Sequence, residues 1–307
     1  MAKISRPVRP LADVNVLPQK NGTSEVVVCF MPDPDIIVGE GNSRAFIALD
    51  ASTSLRKMYG FGGPFGGDPN YVEAVARKLG SILTSVTKSG KVSGIYWAVS
   101  PDGSKIEEIG EFDDASWKAA SITGPKVEKW GKGTKLLPAI QYGVDKLAKS
   151  SDWTMGVIIT DGIIEDEKDC INYCLILGKD LANGKIKPIK LVLIGIGDEV
   201  DEGQLERFDD MFEGSGIEYD LWSKGMVASM QDEADILGVL YGELMDEDTI
   251  IAPTGRVESG GGKTIETWAD GMPGKFRFML PKGESKFIIY AGSKTVEQDI
   301  SEALKTP

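Results

Sequence analysis

Phe46-Ile47-Ala48-Leu49-Asp50-Ala51-Ser52-Thr53-Ser54 is the stretch on which the reading of this chain turns. Four apolar residues in a row, without polar alternation, predict a strand buried on both faces, as a covered parallel sheet requires. The strand ends on a carboxylate and runs into alternating hydroxyls. A second buried run, Gly156-Val157-Ile158-Ile159-Thr160, also ends on a carboxylate, at Asp161-Gly162. Between them, Gly133-Thr134 sits in a Gly-rich loop just before a helix-like stretch from Leu136. Asp50, Ser52, Ser54, Thr134 and Asp161 together read as the oxygen shell of one divalent ion. Hydroxyl and carboxylate oxygens are hard ligands suited to Mg²⁺ or Mn²⁺, with Ca²⁺ as a further candidate.

Outward from these pieces, strand-like and helix-like runs alternate. A helix after the glycine-rich loop Gly60–Gly67 places Val72, Val75, Leu79, Ile82, Leu83 and Val86 on one face. Gly94–Val99 and Lys105–Phe112, joined by Pro101-Asp102-Gly103-Ser104, predict a hairpin whose second strand is a charged edge. Helices are predicted over 136–149 and 166–182, and strands over 154–160 and 189–196. Another helix starts near Glu202, where Asp201 and Gln204 have capping-box spacing. A short strand near 217–221 and a helix over 232–245 close the alternation. The expected fold class is α/β, a doubly wound, mostly parallel sheet. Ser24–Met31 and the tail strands Thr264–Trp268, Lys275–Leu280 and Lys286–Tyr290 lack intervening helices. We therefore expect a small added β-unit built from both flanks. The expected division is 1–43 as N-terminal flank, 44–247 as the metal-binding domain and 248–307 as a C-terminal β-rich segment.

The D-x-S-x-S run, the later Thr and the strand-ending Asp resemble the metal-ion-dependent adhesion site of von Willebrand factor A (vWA) domains. The resemblance covers roughly residues 44 to 245, and all five positions match. It implies a vWA/Rossmann-like sheet with the first strand beside the fourth, where the strand order switches. It implies direct binding by the serines and threonine, with the aspartates often acting through water. It further implies that the ion keeps an open position for an acidic residue of a partner protein. The likeness is to intracellular microbial members, some of which work with AAA+ ATPases or in stress response.

Composition narrows the alternatives. Of 307 residues, 41% are hydrophobic and 26% charged, an ordinary soluble mixture. A net charge of -13 argues against nucleic acid and anionic membranes as partners. No histidine is present, which excludes His-based catalysis and imidazole ligands. Cys29, Cys170 and Cys174 have no framework spacing and fit a reducing cytoplasm. The first residues contain no apolar signal core, and no run approaches the ~20 apolar residues of a membrane span. The expected location is cytoplasmic.

Two motifs mislead. Gly260-Gly261-Gly262-Lys263-Thr264 lacks the earlier glycine of a phosphate loop, because position 257 is valine, and it leads into a strand. Glu165, Asp166 and Asp198 read as solvated or helix-capping charge. The leading expectation is a Mg²⁺-dependent protein–protein interaction module without catalysis. The rivals are a metal-dependent phosphohydrolase and a structural or self-assembling protein with a loop-tying ion. Asp50-Ala51-Ser52 lacks the second carboxylate of a D-x-D phosphatase, which disfavours the first rival.

Overall fold

The computed structural model describes residues 2–4, 7–30, 42–61, 68–197, 199–228, 236, 239–240 and 250–305. In chain order the strands are β1 (Ala2–Lys3), β2 (Leu11–Pro18), β3 (Ser24–Phe30), β4 (Ser43–Asp50), β5 (Val92–Val99), β6 (Lys105–Phe112), β7 (Trp153–Thr160), β8 (Ile189–Ile196) and β9 (Trp222–Val227). The tail adds β10 (Ile250–Ala252), β11 (Gly255–Ser259), β12 (Thr264–Trp268), β13 (Met272–Pro273), β14 (Lys275–Leu280), β15 (Lys286–Ala291) and β16 (Lys294–Asp299). The helices are α1 (Tyr71–Ser85), α2 (Asp114–Ala119), α3 (Leu137–Gln141), α4 (Glu167–Ala182) and α5 (Glu202–Asp209). The chain divides into two compact units, Val38–Val239 and Met1–Ile37 with Leu240–Pro307.

In the first unit the sheet order is β6-β5-β4-β7-β8-β9. Every pair is parallel except the hairpin β5–β6, which leaves charged β6 as an antiparallel edge. The first strand of this unit, β4, thus lies between its second and its fourth, and connections leave it in opposite directions. Alternation along β4 sends Phe46 and Ala48 to one face and Ile47 and Leu49 to the other; all four are fully buried. Phe46 and Ala48 share a core with Leu136, Ala139 and Ile140 of the α3 region and Cys170, Cys174 and Leu177 of α4. On the other side, α1 buries Val72, Val75, Leu79 and Leu83 and packs on β4 and β5. Being covered on both faces is why these strands are apolar runs and not alternating ones.

The second unit contains two antiparallel four-stranded sheets, β1-β2-β3-β14 and β12-β11-β15-β16, and the short pair β10–β13. Their inward side chains form one core, in which Phe278 meets Phe287 edge to face at 5.1 Å. Strand β14 pairs with β3 in a register that sets Phe276 opposite Val28 and Phe278 opposite Val26.

Several sequence expectations are corrected. Asp201 caps no amide of α5 with its side chain. Gln204 instead turns inward, where it accepts from Ile164 N–H (2.7 Å) and donates to Ile164 C=O (2.8 Å) and to Glu167 (2.8 Å). The stretch 217–221 is not a strand; pairing with β8 starts at Trp222, and Tyr219 anchors the approach with a hydroxyl that accepts from Ile189 N–H and donates to Ile189 C=O. The helix expected over 136–149 is α3 followed by a π turn over Tyr142–Leu147 and a 3₁₀ turn over Ala148–Ser150. Strand β2 escapes sequence reading because a register shift between Leu11 and Asp13 breaks its alternation. The Gly260–Gly262 turn joins antiparallel β11 and β12 and opens no helix. Most of the helix expected over 232–245, residues 62–67 of the glycine-rich loop, Met31 and Asp198 lie outside the described residues. Among the described residues no helix is long and apolar enough to cross a membrane.

Candidate metal centre

The carboxyl ends of β4 and β7 lie side by side, with Leu49 opposite Ile159, at the point where the strand order reverses. Four of the five candidate oxygens meet there. Asp50 is fully buried; its Oδ1 accepts from the Ser52 N–H at 2.7 Å and its Oδ2 from the Thr160 hydroxyl at 2.9 Å. Ser52 Oγ lies 2.9 Å from Ser54 Oγ, and Ser54 donates to Asp161 Oδ1 at 3.0 Å. Since the Ser54 proton goes to Asp161, Ser52 donates to Ser54, and a directed chain of hydroxyls connects the two strand ends.

Backbone bonding holds this loop in place. Ala51 donates to Trp97 C=O (2.9 Å), Thr53 donates to Gly131 C=O (2.8 Å), and Gly131 donates to Ala51 C=O (3.1 Å). Only glycine fits at 131, because a Cβ there would lie 2.0 Å from the Ala98 carbonyl oxygen. Ala98 itself takes a left-handed φ of 54°, local strain of the kind that collects at binding sites. Tyr59, buried, donates its hydroxyl to Asp50 C=O at 2.9 Å.

Thr134 approaches from the next loop. Its carbonyl accepts from Glu165 N–H at 2.9 Å, and a Cβ added to Gly162 would stand 3.9 Å from its Oγ1. Its hydroxyl is not part of the Ser52–Ser54–Asp161 chain. Asp166 draws the same loops together by accepting from Leu136 N–H (2.7 Å) and Leu137 N–H (3.0 Å), so it caps the start of α3. Sequence reading missed Thr160, Tyr59 and Gly131. Thr160 had a legible signal, a polar residue ending a buried run just before Asp161; the other two are brought in by tertiary contacts alone.

Electrostatically the centre is short of positive charge. Burial, with Asp161 beside it, pushes the Asp50 carboxyl up to about 7. Burial raises Asp161 as well, with Glu199 adding to the effect and Ser54 opposing it. Among the described residues no lysine or arginine acts on either aspartate, and no three His, Cys, Asp or Glu side chains cluster, so a shell here depends on hydroxyls. The donor set fits a divalent ion. The Ser52–Ser54 and Ser54–Asp161 separations of 2.9 and 3.0 Å are those of hydrogen bonds. Beside these oxygens a cleft of about 360 Å³ is lined by Ser54, Lys57, Met58, Asp161, Gly197 and Glu199 among others.

No known family profile and no curated protein sequence matches this chain. Solved structures similar to it include the ArnB paralog VWA2 from Sulfolobus acidocaldarius, at 15% identity and a TM-score of 0.40 over 90% of this chain and 69% of that one. The pilus adhesin SpaC from Lactobacillus rhamnosus GG is similar at 11% identity and a TM-score of 0.44, over 94% of this chain and 47% of the adhesin. The PilB minor pilin from Streptococcus sanguinis is similar at 12% identity and a TM-score of 0.41, over 74% of this chain and 75% of the pilin. This chain thus spans about half of the SpaC adhesin. At this similarity the comparisons assign no function; the fold and the site rest on the strand order and side chains above.

Proposed function

We propose that this protein is a Mg²⁺-dependent protein–protein interaction module that takes an acidic side chain of its partner at the ion. One observation carries the reading: Asp50, Ser52, Ser54 and Asp161, from two adjacent strand ends, are joined at the switch point of the sheet by hydrogen bonds of 2.7–3.0 Å, from the Ser52 N–H to Asp50 and from hydroxyl to hydroxyl to Asp161. Ser52, Ser54 and Thr134 would hold the ion, with Asp50 and Asp161 oriented toward it. Neutral hydroxyls leave much of the cation's charge uncompensated, so the bound ion supplies an electrophilic site for one further carboxylate. Mn²⁺ is the alternative occupant by ligand hardness. We read the role as binding without turnover, because the chain has no histidine and no nucleophile–base pair has been identified at the site. We place it in the reducing cytoplasm on the strength of three buried cysteines that form no disulfide with one another.

Calorimetric titration of chelator-treated protein with Mg²⁺ tests the reading. One ion per chain is expected, with none bound by Asp50→Ala; absent heat, or equal binding by the variant, refutes it. Thr134→Ala should keep the fold within ~1 kcal/mol, as mild surface changes do, yet lose ion affinity. Thr134→Ser retains the oxygen and should bind.

A further inference from the structure

Arg56 is ordered beside the candidate ion site by the way its 3₁₀ turn ends. The turn runs over Ser54–Tyr59 and so begins on a candidate ligand. Gly60, at φ 90°, supplies the left-handed residue that stops it. Gly60 N–H then bonds Lys57 C=O (3.1 Å) and Phe61 N–H bonds Arg56 C=O (3.2 Å), the paired bonds of a Schellman ending. In that motif the residue after the glycine packs on the one five positions earlier, ordinarily through apolar groups. Here the contact is Phe61 on Arg56, with the guanidinium carbon 5.5 Å from the ring centroid. The same carbon lies 5.5 Å from the Trp130 ring, and Trp130 precedes Gly131, whose carbonyl accepts from Thr53. Trp130 is itself braced edge to face by buried Tyr59 at 5.0 Å. The two rings also meet edge to face at 6.0 Å, and a guanidinium held against such a pair forfeits little rotamer entropy on binding.

Exposed cations lie on the segments that carry the candidate ligands. Net charge is -13, yet Arg56, Lys57, Lys129 and Lys132 are exposed and have no ion pair among the described residues. Lys105, Lys118, Lys146 and Arg207, by contrast, sit against carboxylates. Lys57 lines the cleft with Ser54 and Asp161, and Lys132 lies between Gly131 and Thr134 in sequence. Exposed cations beside the cleft are complementary to a negative partner.

We propose that this corner docks an acidic polypeptide segment: one carboxylate at the ion and a second, a few residues away, on the edge of Arg56, with Lys57 and Lys132 flanking. This rests on the ion-binding reading and adds to it a requirement for clustered Asp or Glu in the partner. A peptide is favoured over nucleic acid because the chain's overall negative charge repels a polyphosphate at distance, while a short acidic segment needs only the local field.

The test uses the full chain and fluorescence anisotropy with labelled hexaglutamate, a peptide of one glutamate among glycines and serines, and a short single-stranded RNA. Each is measured in millimolar Mg²⁺ and in chelator. In Mg²⁺, hexaglutamate should bind best. Arg56→Gln should weaken it about tenfold, the loss of one charge-assisted contact, and leave the single-glutamate peptide unchanged. Arg56→Lys should recover only part, and exposed Phe61→Ala should weaken hexaglutamate severalfold with unaltered melting. Absent hexaglutamate binding, equal affinity in wild type and Arg56→Gln, or tighter and Arg56-dependent RNA binding overturns the proposal. Arg56-dependent hexaglutamate binding that survives chelator supports the acidic-segment surface and overturns the ion-centred reading beneath it.

Discussion

Thr160→Val tests a residue that would act on the ion through Asp50 and, by its longer contacts to both backbone groups of Gly162 (3.3 and 3.4 Å), through the turn after Asp161. The substitution preserves shape and removes one hydroxyl at a position that is fully buried. That hydroxyl gives Asp50 Oδ2 its hydrogen bond at 2.9 Å, one of two that hold the carboxylate, the other being Ser52 N–H. A hydrogen bond to a charged group contributes about 1.5–3 kcal/mol, and exchanging a hydroxyl for a methyl in a dry site returns about 1 kcal/mol. The net loss of stability in chelator should therefore be about 0.5–2 kcal/mol, read from urea unfolding. The effect on the ion should be larger in proportion, because a carboxylate with one of its two supports missing can rotate. Loss of an orienting partner typically weakens metal binding about 10–100-fold. Calorimetric Mg²⁺ titrations of wild type, Thr160→Val and Thr160→Ser measure it. Thr160→Ser keeps the donor and should bind nearly as wild type while losing stability through its missing methyl. Unchanged Mg²⁺ affinity in Thr160→Val would refute the argument that this hydroxyl positions Asp50.

Three further outcomes are expected. Gly80→Ala should destabilise by about 1–3 kcal/mol despite alanine's better helix propensity, because its Cβ would stand 2.2 Å from the fully buried Trp117 ring; thermal melting checks which effect wins. Arg207 and Gln204 hold the Glu167 carboxyl below the ordinary glutamate range. A depressed carboxyl stabilises above its unfolded pKa and loses that contribution as pH falls through the folded one, so the melting advantage of wild type over Glu167→Gln should be full at neutral pH and shrink below about pH 4.5. Burial pushes the Cys174 thiol up to about 12 and raises Cys170 well above its usual value, so native protein should resist a thiol reagent at pH 8 and react at all three cysteines once denatured.

Much of the first unit is legible because its information is local. Short apolar runs such as Phe46–Leu49 and Gly156–Ile159 read as covered strands, and the helical spacing of Val72, Val75, Leu79 and Leu83 names the face that α1 turns to the sheet. Arg56, Gly60 and Phe61 likewise carry their turn ending within six residues. Local pattern failed where a side chain had a better distant partner. Gln204 has capping spacing from Asp201 but satisfies Ile164, because a buried amide bonded on several sides gains more than an exposed cap. Strand β2 was hidden by one shifted residue in its ladder.

By itself, then, the sequence determined the class of the sheet, the two carboxylates that end its strands and the hydroxyls beside them. Only the tertiary structure decided that Asp50 and Asp161 stand at neighbouring strand ends, since the register of β4 on β7 joins residues more than a hundred positions apart. It alone supplied Thr160 and Tyr59 as supports for Asp50, Trp130 as the second face on Arg56, and β14 as the partner of β3. The physical reason is that strand and helix periods record which face of an element is buried, whereas pairing between elements depends on complementary edges and side chains that no single segment encodes.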